Sequence, residues 1–573
     1  MTAPSPYLPA ETLDALIAMR VAEGLHYPTD LHDKGSAVPG ATNRAFHLTM
    51  RDGVRIAVDT HVPAGPRVPT VVRSTRYWRA TTGSPAKQHL EALEAERWLR
   101  EGFALVLVDA RGTGASFGTW GRAWDDEQRD DLVEVVDWII AQAWSDGTVG
   151  GYGTSYDGST AHLLAATGHP AVKAVVPRFA LYDSYADVAA PGGVPLDHFL
   201  ENWAAMNHAL DGQPQRATLP LILPLAGSVK PVDEDLDGTL LAQAQAEHLG
   251  NWDLWADMKD LAERGPEPDF GNGTPLARIE DLRAHGVPHW LWSSWYDGAY
   301  AAAQLRQLAD QALDVRVTLG PFSHGGSMNP LGDPLQPELT NIPVPDQVRE
   351  LAAFLRHRLT AVGEDPSPRG VRYWRLGDGW QESTTWPPKD VTVTRHPLPA
   401  KDLVLDGTAG TGTSATRWHG LIGGEPVRYT QRHGQQLVWE APAPRAITGT
   451  PVIHLDLVSD SGDLALHVYL EALLPDGSEL YLTEGVLNAS HRHLESATRT
   501  STPSRIGGEP SPLPTGIPVT LEWELFPISV LLPEGSAVRV TLAGSDVPLF
   551  RHLGDARVRL LDSSWVELPE QTA

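Results

Sequence analysis

The chain has 573 residues, too many for one compact core, so two to four domains are expected. Acidic side chains (72 Asp plus Glu) outnumber basic ones (45 Lys plus Arg), and a formal net charge of −27 argues against nucleic acid and anionic membranes as partners. Cysteine is absent, which excludes disulfides, cysteine-bound zinc and a thiol nucleophile.

The first residues carry no secretory signal pattern: Glu11, Asp14 and Arg20 interrupt what would be its apolar run, and a helix capped at Thr12 is expected instead. No apolar run approaches the roughly 20 residues of a membrane span, so a soluble, cytoplasmic protein is expected. Residues 1–44 read as an N-terminal helical extension without recognisable chemistry. From Phe46 the pattern predicts a β-hairpin turning at Asp52-Gly53, a strand at Thr70–Ser74 and a helix over Ala86–Arg100. Phe103–Asp109 is a continuous apolar run, which suits a parallel strand covered on both faces. Glu127–Ala143 is amphipathic, with Leu132, Val135, Val136, Ile139 and Ile140 on one face.

Strands and helices alternate through residue 180 and again from 276 to 365, which argues for a parallel α/β sheet with right-handed crossovers. Between them, residues 181–275 break the rhythm. Leu196–Leu210 and Thr239–Arg264, interrupted near Gly250, read as helices joined through Leu219-Pro-Leu-Ile-Leu-Pro224, and the segment reads as a helical cap. Residues 366–573 carry short alternating runs separated by Gly, Pro, Ser and Asp, the pattern of an all-β sandwich.

The chemistry centres on Gly153-Thr-Ser-Tyr-Asp-Gly158. A strand-prone run enters it and an Ala-rich helical run leaves it, so Ser155 reads as the nucleophile of a strand–turn–helix elbow. The spacing is imperfect, because Asp157 stands where the second glycine of G-x-S-x-G belongs and Gly158 follows it. A serine hydroxyl needs a histidine base and an orienting carboxylate, supplied in the order serine, acid, histidine on loops after later strands. Asp297, in Trp295-Tyr-Asp-Gly298, and His324, in Gly320-Pro-Phe-Ser-His324, follow predicted strands in that order. Both sit at C-terminal strand ends, where open α/β sheets bind ligands.

With these motifs, Met50-Arg-Asp-Gly-Val-Arg55, Asp109-Ala-Arg-Gly-Thr-Gly-Ala-Ser116 and Trp144-Ser-Asp-Gly-Thr-Val-Gly150 occur in one order. Together they resemble the cocaine esterase/glutaryl-acylase (CocE/NonD) group, related to X-prolyl dipeptidyl peptidases. The resemblance implies an α/β-hydrolase fold with an inserted helical cap and a C-terminal all-β jelly-roll domain. It implies boundaries at 45–180 plus 276–365 for the catalytic domain, 181–275 for the cap and 366–573 for the jelly roll. It also implies an oxyanion hole made by the Tyr77 hydroxyl and the backbone N–H of Tyr156. No metal or organic cofactor is expected. Arg111–Ser116 lacks the third glycine and the lysine of nucleotide loops, and His491-Arg-His493 reads as a solvated loop.

The expected partner is a small ester or amide, hydrolysed through an acyl-enzyme on Ser155. Acyl transfer from the same intermediate and an X-Pro dipeptidyl-peptidase type of aminopeptidase activity are the alternatives, and a homo-oligomer is left open. Trp78, Trp120 and Trp295 are candidate pocket walls, with core packing the competing fate of such residues. Asp157 could meet a substrate amine or simply face solvent.

Overall fold

The computed structural model describes residues 38–212, 227–258, 273–322, 324, 333–336, 344–410, 436–492 and 510–571. Residues 1–37 of the N-terminal extension, the segment around Leu219–Pro224 and residues 259–264 of the expected second cap helix lie outside the described residues, and the last residues of the extension, from Thr42, already belong to the first strand.

A ten-stranded sheet organises the chain between Thr42 and Ser383. Strands β1 (Thr42–Thr49) and β2 (Arg55–Val62) form the expected hairpin. Gly53 takes φ 86° at its turn, and Asp52 Oδ1 accepts from the Val54 amide at 3.1 Å. There follow β3 (Val68–Thr75), helix α1 (Pro85–Arg100), β4 (Ala104–Asp109), α2 (Asp126–Ile140), β5 (Ser145–Thr154), α3 (Tyr156–Ala166) and β6 (Val172–Arg178). The cap contributes α4 (Asp197–Leu210), α5 (Thr239–Glu247) and α6 (Leu254–Met258). The sheet resumes after α7 (Ile279–His285) with β7 (His289–Ser294), α8 (Tyr300–Ala309), β8 (Val315–Gly320), α9 (Val344–Thr360), β9 (Val371–Arg375) and β10 (Gly379–Ser383). The strand order is β1-β2-β4-β3-β5-β6-β7-β8-β9-β10, parallel from β4 through β9.

Local sequence explains these elements. Every residue of β4 is buried, as its unbroken apolar run requires of a strand covered on both faces. Along it Leu105 and Leu107 join a cluster with Trp98 of α1 and Phe354 of α9, while Val106 and Val108 join the cluster of α2 and α3 on the other face. Helix α2 starts where Asp125 accepts from the Gln128 amide at 3.0 Å, a cap contributing about 1 kcal/mol. It buries Leu132, Val135, Val136 and Ile139 of the stripe read from its periodicity, while Ile140, at its last position, is exposed.

The cap keeps the first expected helix as α4 and breaks the second run near Gly250 as expected, and it adds turns ahead of α4. Its first segment is a π-turn (Tyr185–Ala189) followed by a 3-10 turn (Pro191–Gly193), and the second helical run stops at Glu247 before a 3-10 turn at His248–Gly250. Beyond β10 the chain forms an all-β domain of an eight-stranded and a four-stranded sheet, a jelly-roll type of sandwich with a shared apolar core. This domain presses on the start of the cap. A Cβ on Gly192 would lie 1.8 Å from the Val486 carbonyl oxygen, and Arg551 pairs with both carboxylate oxygens of Asp197 at 2.8 and 2.9 Å. Among the described residues no helix is long and apolar enough to cross a membrane.

Candidate active site

Ser155 stands alone between β5 and α3 at φ 63°, ψ −123°, a conformation costing a non-glycine residue about 1–3 kcal/mol. Such strain persists only where the surroundings over-determine it, and here two glycines do so. A Cβ on Gly153 would lie 2.4 Å from the Asp157 carbonyl, and one on Gly158 would lie 2.6 Å from the Arg178 carbonyl oxygen. Bare glycine at both positions lets α3 close down on β5 and β6. The apparent defect in the motif is therefore a shift: the residue needing no side chain is Gly158, facing β6. The Ser155 amide donates to Arg178 O at 2.9 Å, and Ser155 O accepts from Ser159 at 3.0 Å, fixing the turn from both sides.

Asp297 and His324 leave the C-terminal ends of β7 and β8. Nδ1 of His324 is 2.9 Å from both Oδ1 and Oδ2 of Asp297, so its N–H donates into the carboxylate. Asp297 is wholly buried, and burial raises its pKa from the ordinary value against the opposing pull of His324. The two loops are joined: the Ser294 hydroxyl donates to Phe322 O and accepts from the Tyr296 amide at 3.0 Å. The imidazole lies between Tyr300, stacked at 5.7 Å, and Phe179, edge-on at 6.0 Å. Phe179 follows Arg178, whose carbonyl holds the Ser155 amide, so serine and histidine loops adjoin the same end of β6. Among the described residues no hydrogen bond joins Ser155 Oγ to His324; catalytic hydrogen bonds without substrate are often long and tighten when it arrives.

Tyr77 lies on the loop after β3, its ring 5.8 Å from that of Tyr156 in an edge-to-face contact. The loop is held by buried charges. Arg79 donates from its amide to Asp109 at 2.5 Å, from Nε to Asp59 at 2.7 Å and from Nη1 to Asp109 at 2.9 Å. Arg76, fully buried, reaches across to α4 and its end, donating to Asn207 at 2.5 Å and Asp211 at 2.8 Å. Burial pushes the Tyr77 phenol up to about 12, so it remains a proton donor through the neutral range. Tyr156 is the first residue of α3, so its amide has no intrahelical acceptor and lies at the positive end of the helix dipole.

The remaining sequence candidates fall in different places. Trp78 is buried at φ 70° in a small cluster with Leu210 and Val229. Trp120 is buried and donates from Nε1 to the Tyr156 hydroxyl at 3.1 Å. Trp295 is fully buried in the core shared with the β domain, its indole donating to Trp374 O at 2.7 Å. Asp157 is buried behind the elbow, not solvated, with Arg73 Nη1 at 3.6 Å. Desolvation raises its pKa to about 7, with Arg73 and the Thr75 hydroxyl opposing.

Arg111–Ser116 folds as scaffold. Gly114, at φ 58°, would drive a Cβ to 2.3 Å from the Asp109 carboxylate, and Arg111 clasps Asp131 at 2.9 and 2.6 Å. His491, expected in a solvated loop, is instead buried in a 3-10 turn against Gly193 of the cap, while His493 lies outside the described residues. An exposed-looking H-R-H triplet gave no hint that the cap would seat on it. Among the described residues no group of three or more His, Asp and Glu side chains could hold a metal ion. Sequence reasoning did not single out Phe179, Trp203 or the stacking role of Tyr300. The aromatic at the end of β6 was the only available signal for the first, and helical spacing hid the second among packing residues.

A parallel sheet with a strained serine at its elbow, an Asp–His pair beyond later strands and a helical insertion defines an α/β-hydrolase of the serine type. The chain matches the X-Pro dipeptidyl-peptidase (S15 family) model over residues 52–326 and the X-Pro dipeptidyl-peptidase C-terminal non-catalytic domain over 365–560. A candidate serine esterase of Mycobacterium bovis is 34% identical, covering 90% of this chain and 93% of its own. The cocaine esterase of a Rhodococcus strain is 28% identical over 78% of this chain and 82% of its own. An aminopeptidase from a marine-sediment Thaumarchaeota archaeon shares the fold at TM-score 0.69 and 19% identity, covering 94% of this chain and 99% of that one. An α-amino acid ester hydrolase shares it at TM-score 0.66 and 18% identity, covering 94% and 97%. The protein belongs to the S15 family, in its CocE/NonD group of hydrolases.

Proposed function

We propose that the protein is a carboxylic-ester hydrolase working through an acyl-enzyme on Ser155. The observation that carries this is the Asp297–His324 pair, with Nδ1 2.9 Å from both carboxylate oxygens, in a sheet whose elbow holds a serine at φ 63°. With Nδ1–H committed to Asp297, Nε2 of His324 is the lone-pair nitrogen and takes the Ser155 proton as Oγ attacks the acyl carbonyl. The carbonyl π electrons move to oxygen, and the resulting oxyanion accepts from the Tyr77 hydroxyl and the Tyr156 amide. Collapse expels the alcohol, which leaves with the proton held on His324. Water then enters, gives a proton to His324 and releases the acid by the reverse sequence.

An ester with an apolar acyl group suits the aromatic surroundings of His324 and Tyr77. Asp157, two positions after the nucleophile, is buried against Arg73 and so offers no open carboxylate to a substrate amine. A panel of p-nitrophenyl esters, β-lactam side-chain amides and Xaa-Pro anilides tests the reading. Turnover should be fastest with the esters and vanish in Ser155→Ala; preferential cleavage of the Xaa-Pro anilides would overturn the ester assignment.

A further inference from the structure

We propose that Trp203, on cap helix α4, is a positioning residue that commits the Tyr77 hydroxyl to donate its proton toward the reacting carbonyl. The proposal rests on Tyr77 being the oxyanion donor of the mechanism above.

An indole N–H can donate and cannot accept. Nε1 of Trp203 is 2.8 Å from the Tyr77 hydroxyl oxygen, so at that contact the phenol must be the acceptor. Its own proton must point elsewhere, and among the described residues no acceptor takes it. The adjacent tyrosine is wired the other way. Tyr156 likewise accepts from an indole, Trp120 Nε1 at 3.1 Å, but donates its proton to Gln128 Oε1 at 2.6 Å. The Gln128 amide orientation is fixed by its Nε2 donating to Arg122 O at 2.7 Å. Of two neighbouring phenols, then, one has its proton consumed inside the protein and the other has it reserved. A hydroxyl fixed in its accepting role is a preset donor, which is what stabilisation of developing charge requires.

Trp203 is held in place to do this. It stacks on Phe199 at 6.3 Å and meets Trp120 edge-on at 6.3 Å. Arg76, the residue before Tyr77, lies over the Trp120 ring at 4.4 Å and grips Asn207 of α4 and Asp211 beyond its end. Asp211 is in turn bonded by Asn251 at 2.9 Å, whose Oδ1 accepts from the Trp120 amide at 2.7 Å. The indole donor and its phenol acceptor thus ride on one buried polar clamp between cap and sheet.

The test uses the full-length protein and steady-state hydrolysis of a p-nitrophenyl ester. Trp203 is replaced by Phe, and separately by 3-benzothienylalanine, which keeps the bicyclic shape and substitutes sulfur for N–H. Each is made alone and with Tyr77→Phe. Both replacements should lower kcat about tenfold, the effect of one neutral hydrogen bond, with KM little changed. On the Tyr77→Phe background neither should cost anything further, since the two residues act as one unit. Full kcat in the benzothienyl protein, an equal loss on the Tyr77→Phe background, or a loss confined to KM would each overturn the role of Trp203. Full activity in Tyr77→Phe alone would instead overturn the oxyanion assignment beneath it.

Discussion

Ser155, the proposed nucleophile, departs clearly from local backbone preference at φ 63°. Its left-handed backbone is disfavoured for any residue with a Cβ, and glycine would relax it. Ser155→Gly should therefore be more stable than Ser155→Ala by about 1 kcal/mol in thermal or urea unfolding, although neither turns over substrate. Equal stability would show that the turn stores no strain. Tyr77→Phe should lower kcat by about 10²–10³ and leave KM nearly unchanged, the loss expected for one oxyanion donor. Asp157 gives a pH prediction. Its pKa is raised to about 7 in the folded state, so the folded protein binds the extra proton. Stability from this group is fully present below the unfolded carboxylate value and is lost as pH rises through about 7. Asp157→Asn should flatten the fall of melting temperature over that window by a few degrees, while Arg73 keeps Glu94 as a partner at 3.3 Å. An unchanged pH profile in the variant would contradict a buried, titrating Asp157.

At the scale of elements, the parallel strands were readable because a strand covered on both faces needs an unbroken apolar run, as in Phe103–Val108. The positions of Ser155, Asp297 and His324, the proposed triad, at the ends of parallel strands were readable for a related reason: chain order and strand ends constrain where such side chains can lie. The cap was less legible. Nothing in helical spacing separates Trp203 from an ordinary packing tryptophan, because its distinguishing contact is with a residue 126 positions away. His491 was misread for the same reason, since its burial depends on a cap turn far off in sequence. The elbow spacing, by contrast, becomes intelligible only with β6 in view. Gly158 faces the Arg178 carbonyl, and Gly158→Ala should push α3 off the sheet. A loss of roughly 2 kcal/mol or more in unfolding free energy, with an accompanying fall in kcat, is expected for such backbone overpacking. A variant as stable and as active as the parent would show that α3 has room to move.

In the whole molecule, the β domain braces the cap that bears on the candidate active site. Gly192 sits under Val486 so tightly that any side chain must part the two, and Arg551 clasps Asp197 at the start of α4. Strain at Gly192 should therefore travel to α4, the helix carrying Trp203. The claim on which everything else depends is that Ser155 is the nucleophile, and a fluorophosphonate probe addresses it on the intact protein. Incubation should add one phosphonyl group per chain, and peptide mass mapping should locate it on Ser155. Labelling should disappear in Ser155→Ala and become much slower in His324→Ala. A folded parent protein that stays unlabelled, or labelling that persists in Ser155→Ala, would contradict the account.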